Sequence, residues 1–182
     1  MMGPVIVVHV AVTTVEDYPT RREPHRRAHI ERLAELRAGG VVIGGGPAPD
    51  GRTADIFYRL TRSDQLAPLV EEDPYRRGGV WTGYRARSFS QFVEPWDLPP
   101  IVLDGSRRVT VVEGPAAEPE MAQLALVELR GTGRLAFGGA FDDGETLVVA
   151  RSADPAEAVG WLAETGFWAA PTLRARPLLH VL

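Results

Sequence analysis

Two histidines, His25 and His29, stand four residues apart in the segment Pro24 to Ala38, and a carboxylate, Asp73, follows in Glu71-Glu72-Asp73-Pro74-Tyr75. An i, i+4 histidine pair lies on one helix face, a spacing that metal sites use. Here Arg21, Arg22, Arg26 and Arg27 surround it and would repel a cation, and no third ligand stands nearby, so no metal is expected. Leu33 and Leu36 follow His29 at i+4 and i+7, which puts its ring on the buried stripe of the helix. Such a ring is either a core histidine or a functional one. His25 falls nearer the helix start, at the rim of any site. Asp73 precedes a proline and is biased away from the α region, so it is either a surface acid at a helix stop or a partner for His29 from a second helix on the same side of the sheet. In the second case the carboxylate would orient the imidazole, select its tautomer and make it a general acid or base working near neutral pH.

The composition removes many other chemistries. Among 182 residues, 45% hydrophobic and 24% charged, there is no cysteine, and the sequence contains neither lysine nor asparagine. Thiolate nucleophiles, disulfides, Cys-ligated zinc, Schiff bases and a P-loop lysine are therefore excluded. The net charge of −4 offers no basic stripe for nucleic acid. Apolar runs such as Val5 to Val8 are far shorter than the ~20 residues that cross a bilayer. The expectation is a cytoplasmic protein with a small-molecule substrate, no organic cofactor, no nucleic-acid partner and no membrane partner.

The elements that must position these residues come in two similar sets. Arg37, Gly40, Gly45, Gly46, Asp50, Gly51 and Thr53 reappear as Arg130, Gly133, Gly138, Gly139, Asp143, Gly144 and Thr146, at an offset of 139 − 46 = 93. This is a duplication. In the first copy a β-branched strand (Pro4 to Val12) precedes the helix Pro24 to Ala38, which Gly39-Gly40 stops. Strands Val41 to Gly45 and Thr53 to Leu60 flank the turn Pro49-Asp50-Gly51, Ser63 is expected to cap a helix running through Glu72, and Val80 to Val93 reads as one last strand. The order is βαββαβ, and Arg108 to Val181 repeats it.

These patterns predict an α+β protein of two ferredoxin-like repeats, residues 1–93 and 107–182, joined by a Pro-rich linker over 94–106. A half of about 90 residues buries only a modest core. The two sheets are therefore expected to pack together as an intrachain pseudo-dimer, with a further homodimer left open.

The segments His29 to Gly40, Gly44-Gly45-Gly46-Pro47 with Pro49-Asp50-Gly51, and Glu72-Asp73-Pro74-Tyr75 with Gly78-Gly79-Val80 resemble the YCII-related (YciI-like) family across nearly all of the first half. The resemblance implies a dimeric α/β-barrel fold with sheets face to face, and a His-Asp active site falling on His29 and Asp73. It also implies cofactor-free proton transfer on small, often ring-derived acids, since relatives include a dehydrochlorinase and muconolactone isomerases share the fold. The second half departs from the pattern. Ala122 stands at the His29 position and Glu164-Thr165-Gly166-Phe167 replaces the acidic motif, so one site per chain is expected. Phe141, Phe167 and Trp168 would line a pocket or fill the core.

Around His29 and Asp73 the candidate substrate contacts are Tyr75, His25, Gly45 and Gly46 through their amides, Arg76 as a carboxylate clamp beside Arg77, and Ser88. Gly44 to Gly46 precedes a hairpin, where a phosphate site would need a helix N-terminus, and no Gly-x-Ser-x-Gly elbow accompanies Ser88. His9 and His180 are read as structural. The expected activity is of the lyase, isomerase or dehydrochlorinase type. The alternatives are a non-catalytic ligand-binding or accessory protein and a cofactor-independent monooxygenase.

Overall fold

A computed structural model describes residues 3–182 and divides the chain into two units. Of the described residues, the first comprises 3–88, 99–103 and 180–182, and the second 89–98 and 104–179.

In the first unit, β1 (Ile6–Thr14) leads through a one-turn helix α1 (Tyr18–Arg21) into α2 (Glu23–Ala38), then β2 (Val42–Pro47) and β3 (Thr53–Leu60). A 3-10 turn (Ser63–Gln65), α3 (Leu66–Glu71), α4 (Pro74–Arg77) and β4 (Trp81–Ser88) complete it. The strands form an antiparallel sheet in the order β2-β3-β1-β4, the split-βαβ topology expected. Pro24 sits in the first turn of α2, where a missing N–H costs nothing. The helix ends at Gly40, whose φ of +75° lets the Val41 amide turn back to the Leu36 carbonyl. Val8, Val10 and Val12 of β1 alternate onto the helix-bearing face with Ile56, Tyr58 and Leu60 of β3, and there they bury Leu33, Val70, Tyr75 and Trp81.

The second unit repeats the plan with β6 (Arg108–Pro115), α5 (Pro119–Gly131), β7 (Leu135–Ala140), β8 (Glu145–Ala150), α6 (Pro155–Ala163) and β9 (Arg174–Leu179). A short strand β5 (Gln91–Val93) adds to its edge, giving the order β5-β7-β8-β6-β9. The repeat extends to irregularities. Gly133 takes φ +82° as Gly40 takes +75°, and the bulge between Val42 and Gly44 recurs between Leu135 and Phe137. Past the turn the offset of 93 shortens to 92: Pro47 faces Ala54, whereas Ala140 faces Thr146.

Three expectations are corrected. The segment Val80 to Val93 is two strands, because the chain leaves the first sheet after Ser88 and Gln91 to Val93 pair with Gly138 to Ala140. The stretch read as a linker is shared, with residues 99–103 in the first unit and 94–98 and 104–106 in the second. Ser63 does not cap. The turn begins at Arg62, and the Gln65 side chain accepts the Thr61 and Arg62 amides. Among the described residues, no helix is long and apolar enough to cross a membrane.

Candidate functional site

α2 and α4 bring the first copy's chemistry together. Asp73 ends α3 in extended geometry (φ −62°, ψ 134°), as a residue before proline should, and becomes the N-cap of α4. Its Oδ1 accepts the Tyr75 amide at 2.8 Å and His29 Nδ1–H at 2.7 Å. The surface acid at a helix stop is thus a fully buried one. Its Oδ2 is buried without a hydrogen-bond partner among the described residues. A carboxylate placed this way fixes the imidazole tautomer with the proton on Nδ1. His29 Nε2 then has no hydrogen bond within the described protein, and the ring keeps 11% of its side-chain surface exposed.

Aromatic rings hold the imidazole. Tyr75 stacks on it with centroids 3.7 Å apart, and Trp81 meets it edge-on at 5.4 Å. Tyr18 stands edge-on to Tyr75 at 6.3 Å and carries the Arg22 guanidinium 5.0 Å over its face. Burial, helped by the neighbouring Tyr18, holds the Tyr75 phenol above its ordinary range against the opposing charges of Arg22 and Arg26. The sequence reading missed Tyr18 and Trp81. For Trp81 a signal existed, since it follows Gly78-Gly79-Val80. The β-bulge between Thr13 and Thr14, which sets Trp81 opposite Thr14, is what aims it.

The other expected contacts divide. Tyr75 is in place. His25 packs its ring over Gly78, so close that a Cβ there would lie 2.4 Å from it. Arg76 is held by Glu71 at 3.1 Å and by the Trp81 carbonyl at 3.4 Å, so its guanidinium is already committed. Arg77 is exposed. Gly45 and Gly46 belong to the sheet edge. Gly45 pairs with Ile56, its carbonyl accepts the Val181 and Leu182 amides, and Gly46 pairs with Asp55. A Cβ on Gly45 would meet the Asp55 carbonyl at 2.4 Å, so close strand packing explains this glycine. Ser88 is exposed at the far end of β4, seven residues or roughly 23 Å of strand from Trp81, and is not part of the site.

A second imidazole-carboxylate pair went unrecognised in the sequence. His9 Nε2 and Asp55 Oδ1 are 2.6 Å apart and buried, on the sheet face opposite α2, with Phe57 5.0 Å from the His9 ring. The signal was a polar residue set among apolar ones in each of two strands.

In the second unit Ala122 is buried at the His29 position and helps line a cavity of about 230 Å³ with Leu126, Phe141 and Thr146. Trp168 fills the core and donates its indole N–H to Thr146.

No family model matches the sequence, and no curated protein matches it. Solved structures do. A candidate monooxygenase from Lactobacillus acidophilus matches with TM-score 0.64 and 11% identity, over 98% of this chain and 94% of its own. Another, from Fusobacterium nucleatum, gives 0.60 and 10%, over 100% and 94%. A candidate chlorite dismutase gives 0.51 and 12%, over 97% and 95%. The chain has the dimeric α/β-barrel fold. At these identities the likeness extends to the fold alone, and a dimeric α/β barrel hosts many chemistries, so function has to be argued from the site.

Proposed function

We propose that the first half of this dimeric α/β-barrel protein is a YCII-like general acid–base centre acting on a small molecule, in which His29 moves a proton at Nε2 and Asp73 orients the ring. The observation that carries this is the 2.7 Å bond from His29 Nδ1–H to Asp73. With Nδ1 committed to the carboxylate, Nε2 is the nitrogen left to exchange a proton with substrate. When Nε2 takes a proton, the imidazolium that forms is stabilised by the buried carboxylate at its other end. The aromatic surround of Tyr75 and Trp81 suits a flat, ring-derived substrate. In an elimination Nε2 takes the proton as the substrate's own leaving group departs with the bond electrons, and in an isomerisation Nε2 takes a proton at one atom and returns it at another.

The test is a screen of small halogenated phenols, lactones and ring-derived acids for deuterium exchange or product in D2O, with the intact protein and with His29→Ala. A positioned acid–base group contributes about 10²–10⁴ in rate, so the variant is expected to lose activity by about that factor while remaining folded, its melt lowered by the lost bond to Asp73. Retained activity overturns the reading. Recovery of a tightly bound compound unchanged favours a ligand-binding role. Oxygen uptake with a hydroquinone favours monooxygenation, the activity suggested for the two barrel proteins from Lactobacillus and Fusobacterium.

A further inference from the structure

The mechanism above leaves three buried polar atoms of the first unit unused. Asp73 Oδ2, an acceptor, has no hydrogen-bond partner among the described residues. Neither has the hydroxyl of Tyr58, a fully buried residue of β3 that points into the same core as Tyr75 and Val70. Arg32 Nε, a donor, is likewise buried and unpartnered, although the same guanidinium donates from Nη2 to the Leu69 carbonyl at 3.2 Å. Arg32 is three residues after His29 on α2, hence its neighbour on the helix surface. The Tyr58 phenol feels both of the others. Burial raises the Tyr58 phenol above its ordinary range, the Asp73 charge raises it further, and the Arg32 charge lowers it.

The chemistry of the three is complementary: a cationic N–H donates, a hydroxyl can accept and donate, and a carboxylate can only accept. A native core rarely leaves such groups unpaired, because each unsatisfied buried polar atom costs free energy until it finds a partner.

We propose that Tyr58 is a positioning residue of the site. Through one buried water, its hydroxyl hydrogen-bonds toward Asp73 Oδ2 and toward Arg32, holding the carboxylate in the position that fixes His29. This rests on the His29–Asp73 reading and adds a member to it. Tyr58 touches no substrate and acts through Asp73.

The experiment reads the His29 Nδ1–H proton by NMR at fixed pH, in the intact protein and in Tyr58→Phe, Arg32→Gln and Asp73→Asn, with the imidazole 15N shifts reporting the tautomer. In Tyr58→Phe the resonance is expected to move and its exchange with water to quicken about tenfold, the equilibrium value of one hydrogen bond, while the Nδ1–H tautomer persists. In Asp73→Asn the resonance is expected to vanish. If Tyr58→Phe leaves position and exchange unchanged while Asp73→Asn abolishes the signal, Tyr58 is core packing only and the proposal is overturned with the pair intact. If Asp73→Asn also changes nothing, the pair itself fails. Should Tyr58→Phe not fold, Arg32→Gln decides, with quickened exchange expected and unchanged exchange overturning the proposal.

Discussion

The imidazole of His29 lies flat on the ring of Tyr75, centroids 3.7 Å apart and planes 11° from parallel. Stacking of this kind fixes the ring in rotation, as the Asp73 bond fixes it in direction. Tyr75→Phe keeps the ring, and its stability should fall within about 1 kcal/mol of the parent. Tyr75→Ala removes a buried aromatic and should cost about 3–5 kcal/mol. Urea midpoints would separate the two, and a Phe variant as unstable as the Ala variant would show that the hydroxyl matters more than the ring.

Asp73 performs two tasks through one oxygen. Asp73→Ala loses the α4 cap and the bond to His29, about 1 kcal/mol and about 1.5–3 kcal/mol respectively. Asp73→Asn keeps a cap acceptor and loses the charged bond to His29, which should cost about 1.5–3 kcal/mol. Turnover of any substrate should fall in both variants. Equal stability losses would mean that the cap carries nothing.

The duplicated turns supply their own control. Gly51 (φ +70°) and Gly144 (φ +83°) both need left-handed backbone. A Cβ on Gly51 would lie 2.6 Å from the Tyr18 ring, whereas nothing lies within 4 Å of one on Gly144. Alanine at Gly144 should therefore cost only the backbone term, about 1–2 kcal/mol, and alanine at Gly51 about 1–3 kcal/mol more. The Gly51 variant should also disturb Tyr18 fluorescence. Equal costs would show that the Tyr18 ring yields freely.

Alkaline stability follows from Tyr58 and Tyr75, both held above their ordinary range chiefly by burial. In the unfolded chain they lose protons near pH ~10, while in the folded chain they keep them. Above that pH the folded state binds more protons than the unfolded one, so stability falls as pH rises, and below it these two groups contribute no slope. Urea midpoints measured between about pH 9 and 11 should decline, and Tyr58→Phe should make the decline shallower. A parallel decline in the variant would place the titrating groups elsewhere.

Much of this arrangement is written locally. The Gly40 stop, the Asp50-Gly51 turn and the alternation of Val8, Val10 and Val12 follow from backbone and pattern rules that act over a few residues, and the 93-residue repeat carries them to the second half. The 2.7 Å contact of His29 with Asp73 is different, because it depends on where two helices cross over one sheet. Periodicity could place both residues on the helix-bearing side but could not bring them together. The break after Ser88 was hidden because Phe92 and Val93 continue the β-favouring pattern of β4, and nothing in a period-2 alternation says which sheet a strand joins. His9 and Asp55 were hidden for a related reason, since cross-strand register is set by pairing over 46 residues of separation.

The chain's path between its units has a genetic consequence. The first unit draws residues from three separate stretches, ending with residues 180–182, and the second takes its edge strand from residues just after β4. A gene cut at the proline-rich middle would encode one piece without its closing residues and another without its outer strand. Once fused and threaded in this way, the two ancestral copies are no longer interchangeable parts, and recombination that swaps a half must carry both crossing segments with it.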